Sequence, residues 1–304
     1  FLQVATVNPP GKVYVTFTRL CKELFEQLEI PYEVHEVPEK FIKENAPYAD
    51  GEKRLIVLSR IGIAGKRETE LHFNGHYDVV PAGDNWRFDP FAPKIKDGMV
   101  YGRGAADMKG ALVAMAFAMA ALKRVEHCLP GKVSLSFVPD EEMGGKTGTG
   151  YLVQSKLVCP SFCVIGEPTG LQNIWIAHKG RIEGQIIISG VQAHGSIPWK
   201  GTNAFVRASK LITWLDKHYG ELLKSRTTQY AADPEVKNPS ILWGGSAYGG
   251  SKATIVPSKF VVSFDRRVLP EEDSEKILNE LETTGLRGAT EVGIPPVDIF
   301  VEGR

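Results

Sequence analysis

Little in this sequence is in excess. Its 304 residues carry 36 Lys+Arg and 36 Asp+Glu, a formal net charge of zero at pH 7. No surplus of either sign draws the chain to nucleic acid or to an anionic membrane surface, so neither is expected as a partner. Cysteine is scarce: Cys21, Cys128, Cys159 and Cys163 lie far apart or unaccompanied. That spacing excludes a disulfide scaffold and suits reduced thiols in a cytoplasmic protein. Cys159 and Cys163 bracket CPSFC, but no second Cys/His pair stands nearby to complete a four-ligand site. Long apolar runs are missing too. The longest, ALVAMAFAMAAL from Ala111 to Leu122, falls short of the roughly 20 residues that cross a bilayer and reads as a buried helix. No internal repeat or low-complexity segment interrupts the chain.

What is present fits one large soluble domain or two ordinary ones. The first part alternates helix and strand. Helical spacing runs from Tyr14 to Glu29. Strands are expected at RLIVLSRI, ELHFNG, KVSLSFV and FCVIG, with the apolar helix after Gly110 and a short helix near TGYLVQS. Apolar strands alternating with helices predict an α/β layer around a mixed, largely parallel sheet. Near Lys179 the pattern changes. RIEGQIIISGVQAH alternates as a strand, AFVRASKLITWLDKHYGELL is an amphipathic helix, and SILWGGSA and KFVVSFDRRV are strands. EEDSEKILNELETTG is a helix opened by acidic residues, and an extended stretch is expected around VDIFV. That order, β-α-β-β-α-β, is an α+β split-βαβ (ferredoxin-like) unit. The division expected is therefore 1–178 and 179–304. The chain begins at Phe1 in what reads as the end of a helix and stops after VDIFVEGR, so residues are expected to be missing at both ends.

The chemistry gathers at strand ends. His76 and Asp78 close the strand that begins at ELHF, two apart and hence on one side. KVSLSFV ends in PDEEMGG, with Asp140, Glu141 and Glu142 adjacent. FCVIG ends in Glu167. VYGRGAADMKG puts Asp107 in a glycine-rich loop before the apolar helix. In open α/β sheets, ligands bind at the carboxyl ends of the strands. So many carboxylates in one small site raise one another's pKa unless a cation separates them, and no Arg/Lys cluster accompanies them. One or two divalent metals resolve the conflict. The rival reading of GRGAAD as a nucleotide loop lacks the third glycine and a preceding apolar strand.

At this point the residues resemble a known family. GHYDVVPAGDNWRFDPFAPKIKDGMVYGRGAADMKG, PDEEMGG, VIGEPTG and VQAHGSIP are similar, in order, to the motifs of the co-catalytic zinc amidohydrolases. These include acetylornithine deacetylase, succinyl-diaminopimelate desuccinylase, aminoacylase and glutamate carboxypeptidase. The resemblance implies a catalytic domain with an inserted lid, a homodimer formed through that lid, and two zinc ions that cobalt or manganese can replace. It implies His76 and Glu167 on one metal, Glu142 on the other, and Asp107 bridging. Asp78 would orient the His76 imidazole. Glu141 would be the general base, and His194 in VQAHGSIP a donor to the oxyanion. Arg267 in FDRRVLP would grip the substrate carboxylate, with neighbouring Arg266 as the rival.

Two departures stand out. GGSKATIVP has Thr254 where the family's asparagine is expected. The second metal should also receive a histidine from near the family's C-terminal end. The histidines here are His35, His72, His76, His127, His178, His194 and His218, with none after the last. The expected activity is zinc-dependent hydrolysis of a small N-acyl amino acid, as in the biosynthetic deacetylases and desuccinylases. A dipeptidase or carboxypeptidase acting on dipeptides, and a metal-binding homologue without catalysis, remain alternatives.

Overall fold

The computed structural model describes residues 1–62, 69–231 and 233–303. The chain divides into two units, Phe1–Gln172 and Asn173–Arg304. In the first unit, α1 (Tyr14–Gln27), β1 (Glu33–Glu36), α2 (Glu39–Asn45), β2 (Leu55–Ile61) and β3 (Glu70–His76) come first. They are followed by a small hairpin, β4 (Lys94–Lys96) and β5 (Met99–Tyr101), then α3 (Lys109–Arg124), β6 (Lys132–Val138), α4 (Tyr151–Gln154) and β7 (Phe162–Ile165). Residues before α1 form turns rather than a helix end, and Val7 makes a single bridge to Val79. Pro9 and Pro10, which lack backbone N–H groups, stand in that stretch.

The sheet runs β1-β2-β6-β3-β7. It is mixed and partly parallel, as the order of elements suggested. β3 is parallel to β6 and β7, whereas β2 is antiparallel to both β1 and β6. The link from β2 to β3, residues 62–69, is shorter than a parallel crossover needs, so β2 runs against β3 and hence against β6. β3 and β6, by contrast, are joined through α3 and run the same way.

α1 and α3 cover this sheet. Phe17, Phe25, Leu112 and Met119 are fully buried against Leu135 and Phe137. Each such side chain contributes about 1.5–3 kcal/mol by leaving water. α3 approaches β3 closely because Gly75 has no side chain: a Cβ there would stand 2.5 Å from the Met108 terminal carbon and 2.6 Å from a Leu112 methyl. α3 is not buried all round, since Phe117 is 55% exposed.

In the second unit the elements are β8 (Gly180–Ser189), β9 (Ala193–His194), α5 (Ala204–Lys224), β10 (Ser240–Gly249), β11 (Ile255–Val256), β12 (Lys259–Val268), α6 (Ser274–Glu291) and β13 (Ile299–Gly303). The sheet order β10-β12-β8-β13 is antiparallel throughout. β12 separates β8 from β10, the split arrangement that the element order suggests. Ile182, Ile186 and Phe264 pack beneath Leu211, Leu215, Ile277 and Leu281 of the two helices. Side chains cap both helices: Asn203 accepts from Phe205 and Val206, and Asp273 from Glu275 and Lys276. Such caps contribute about 1 kcal/mol each. Glu271 and Glu272, expected inside α6, lie before it. Glu272 instead holds Arg226 and the buried Arg266.

One histidine of the first unit has a pH consequence. His72 is buried on β3 between Ser134 and Ser136, with Nδ1 and Nε2 at 2.7 and 2.8 Å from their hydroxyls. Ser134 donates onward to Glu70, so it accepts from Nδ1–H; Ser136 then donates to Nε2. The neutral ring satisfies every partner. Burial pushes it down to about 4 from 6.5; Glu70 opposes the fall and Arg60 adds to it. Between those values the unfolded chain takes a proton that the folded chain refuses. Stability therefore falls as pH drops from about 6.5 to about 4, by at most about 3 kcal/mol. His72→Gln should flatten the denaturant midpoint over that window relative to the unsubstituted protein. Equal slopes for the two proteins would refute the assignment.

Candidate metal centre

β3 ends in the core. Tyr77 turns inward: its hydroxyl donates to the Leu55 carbonyl at 2.8 Å and its ring packs on Tyr14 and Phe17. Its neighbours therefore take the other side. The His76 side chain is 1% exposed. Its Nε2 stands 2.9 Å from Asp107 Oδ1, 3.4 Å from Glu167 Oε1 and 3.9 Å from Glu141 Oε2. Two sets of potential ligand atoms result, each within 4.8 Å: His76 with Glu141 and Glu167, and His76 with Asp107 and Glu142. All five residues lie in the first unit and come from the ends of β3, β6 and β7 and from the loop before α3. The Asp107–Met108 peptide is cis.

Glu141 and Glu142 both approach the imidazole, so distance alone does not divide the base from the ligand. Burial raises the pKa of each. For Glu141 the His76 charge opposes this, and Glu167, Asp78 and Asp107 add to it; for Glu142 the next contribution is Asp107. For His76, burial works against the charged ring, but Asp78 and Glu167 outweigh it and push the imidazole up to about 11. Carboxylates gathered this closely repel one another unless a cation sits among them. One imidazole nitrogen and surrounding carboxylate oxygens form the donor set that zinc accepts, so the residues fit the metal centre implied by the motifs.

Asp78 does more than face the ring. His76 Nδ1 lies 3.0 Å from the Asp78 backbone oxygen and 3.4 Å from its carboxylate. The carboxylate itself accepts from the backbone N–H of Glu141 at 3.1 Å, of Glu142 at 3.2 Å and from Asn8 at 3.0 Å. Asp78 thus ties the end of β3 to the turn that carries both glutamates.

Asp140 stood beside the two glutamates in the sequence, but its partners behind this turn, Asn8, Tyr14, Arg54 and Thr147, had no sequence signal. Asp140 has φ +64° and is fully buried. Its carboxylate accepts from Arg54 Nε at 2.7 Å, Asn8 at 2.9 Å, the Tyr14 hydroxyl at 3.1 Å and Thr147. Burial, with the Asp78 and Asp140 charges, drives the Tyr14 phenol far up, so it remains a donor. Cys159 and Cys163 are exposed and join no potential metal group among the described residues.

The other expected residues belong to the second unit. His194 is exposed on β9, whose pairing with β11 sets it opposite Ile255, beside Thr254. Its Nδ1 accepts from the Ser196 backbone N–H at 3.2 Å, which leaves Nε2 as the donor of the neutral ring. Thr254 is exposed, and its carbonyl accepts from Gly195 at 2.7 Å. Arg266 and Arg267 face opposite ways along β12. Arg266 is fully buried and committed to Glu272 and the Tyr219 hydroxyl. Arg267 is exposed and pairs with Asp265 at 2.7 Å. Alternation along the strand separates the two arginines.

A sequence profile described as peptidase family M20/M25/M40 matches residues 72–292. A succinyl-diaminopimelate desuccinylase of Polynucleobacter necessarius subsp. necessarius (strain STIR1) is 32% identical over 231 residues, covering 73% of this chain and 58% of its own. One from Anaplasma marginale (strain Florida) is 40% identical over 143 residues, 44% of this chain and 36% of its own. The chain spans about half the length of the curated relatives it matches. Among solved structures, aminopeptidase PepT from Bacillus cereus ATCC 10987 superimposes with a TM-score of 0.70 at 21% identity, over 100% of this chain and 72% of that one. A metallo-carboxypeptidase from Sulfolobus solfataricus gives 0.67 at 18%, over 100% and 76%. These structural likenesses are likenesses of fold.

Proposed function

This chain belongs to peptidase family M20/M25/M40, and from that premise we propose that it is a metal-dependent amidohydrolase acting on N-acyl amino acids in the cytoplasm. The observation that carries the reading is the meeting of the His76 imidazole with Asp107, Glu141, Glu142 and Glu167 at one edge of the sheet. The desuccinylase names of the curated relatives favour a succinyl group over a peptide.

In this reading residues 1–178 are the catalytic part and 179–304 a lid through which two copies associate. His76 and Glu167 would hold one zinc, Glu142 the second, and Asp107 both. Bound zinc supplies Lewis acidity, polarising the scissile carbonyl and lowering the pKa of water towards about 7. Glu141 takes the proton of the attacking water and returns it to the amine nitrogen as the carbon–nitrogen bond breaks. Asp78 keeps the imidazole turned so that Nε2 faces the acids. His194 donates from Nε2 to the oxyanion, Thr254 offers a hydroxyl beside it, and Arg267 leaves Asp265 for the substrate carboxylate.

The test pairs metal content with hydrolysis. With zinc supplied, the protein should cleave N-succinyl-diaminopimelate or N-acetyl-ornithine faster than dipeptides. His76→Ala should lose bound zinc, by elemental analysis, together with that activity. Unchanged zinc in His76→Ala would remove the centre from this position. Faster cleavage of dipeptides would move the protein to the peptidases of its family.

A further inference from the structure

The first few residues of the chain contribute a side chain to the ground beneath the glutamates. Asn8 is 1% exposed, and Asp78 and Asp140 are both fully buried. The single Asn8 amide nitrogen is 3.0 Å from Asp78 Oδ2 and 2.9 Å from Asp140 Oδ1. Its two hydrogens are therefore both spent, one on each carboxylate, while its own Oδ1 is buried without a partner among the described residues. The orientation of the amide follows from chemistry. Turned over, it would set a carbonyl oxygen against two carboxylate oxygens, acceptor against acceptor.

The two carboxylates do different work. Asp78 accepts from the backbone of Glu141 and Glu142 and lies beside His76. Asp140 precedes Glu141 and fixes the left-handed turn through Arg54, Tyr14 and Thr147. Asn8 is the neutral donor that both share. We propose that Asn8 is a positioning residue: it holds the two carboxylates in one register and so sets where Glu141 and Glu142 stand relative to His76. This rests on the metal-centre reading above. Its effect should reach zinc affinity, because the groups behind metal ligands set their orientation.

Thr6 supplies the control. It is fully buried in the same segment, its hydroxyl donates to the Tyr77 backbone oxygen, and among the described residues no hydrogen bond joins it to either carboxylate. Zinc dissociation constants of the folded proteins, by competition with a chromogenic chelator, decide the matter. Asn8→Ala and Asn8→Asp should weaken zinc binding by about 10–100-fold. Asn8→Ser, which keeps one donor, should fall between them and the unsubstituted protein, and stands in for Asn8→Ala should that variant not fold. Thr6→Val should lower the unfolding midpoint and leave zinc affinity at the unsubstituted value. Zinc affinity unchanged in the Asn8 variants, or reduced equally by Thr6→Val, would overturn the proposal alone. An unsubstituted protein that takes up no zinc would overturn the metal centre and the proposal with it.

Discussion

Glu141→Gln should reduce kcat by about 10²–10⁴-fold, the range over which a positioned acid–base group acts, while zinc content stays as it was. Glutamine keeps the length and planarity of the side chain, and the backbone N–H bond to Asp78 is untouched by the change. What is lost is the ability to take a proton. Glu142→Gln should behave differently, losing metal along with rate, because that carboxylate is assigned to a zinc. The contrast between the two adjacent positions is what counts, since both lie in the same turn and both rise in pKa through burial. Rates read by amine release at saturating substrate, beside zinc by elemental analysis, give both numbers. If Glu141→Gln kept its rate, or if both variants lost zinc equally, the division of roles between the two glutamates would fail.

Arg54→Met should destabilise the protein by about 3–5 kcal/mol, the usual cost of removing one partner from a buried ion pair. Arg54 and Asp140 are both at 0% side-chain exposure. The guanidinium also donates to the backbone oxygens of Pro10 at 2.9 Å and Glu52 at 3.2 Å, and lies over the Tyr14 ring at 5.0 Å. Methionine leaves the Asp140 carboxylate buried with Asn8, Tyr14 and Thr147 as its remaining donors. Removing the stranded charge as well, in Arg54→Met with Asp140→Asn, should restore part of the loss, because an unpaired buried ion costs more than a buried amide. Guanidinium titration of the three proteins measures it. A loss under about 1 kcal/mol, the scale of an exposed pair, would mean that the pair is not the support of the turn described here.

The acids at the site were legible because their signal is local. His76 and Asp78 at the end of one strand, and Glu141 and Glu142 in the turn just after another, can be read from a few consecutive residues. The split order of the second half was legible for the same reason, down to the extended stretch that became β13. Arg266 and Arg267 were not separable, because alternation says that they part and not which one faces the helices. Which strand pairs are parallel was not legible, because apolar runs report burial on both faces and are silent on direction.

Asn8 and Arg54 gave no signal at all. Asn8 meets Asp140 across 132 residues of sequence, and Arg54 meets it across 86. The sequence alone brought out the candidate side chains of the site, since residue type and position after a strand are local properties. Only the tertiary structure decided what holds those side chains in place. A buried carboxylate must find donors wherever the folded chain brings them, and no spacing rule connects residues that meet only after the sheet has closed.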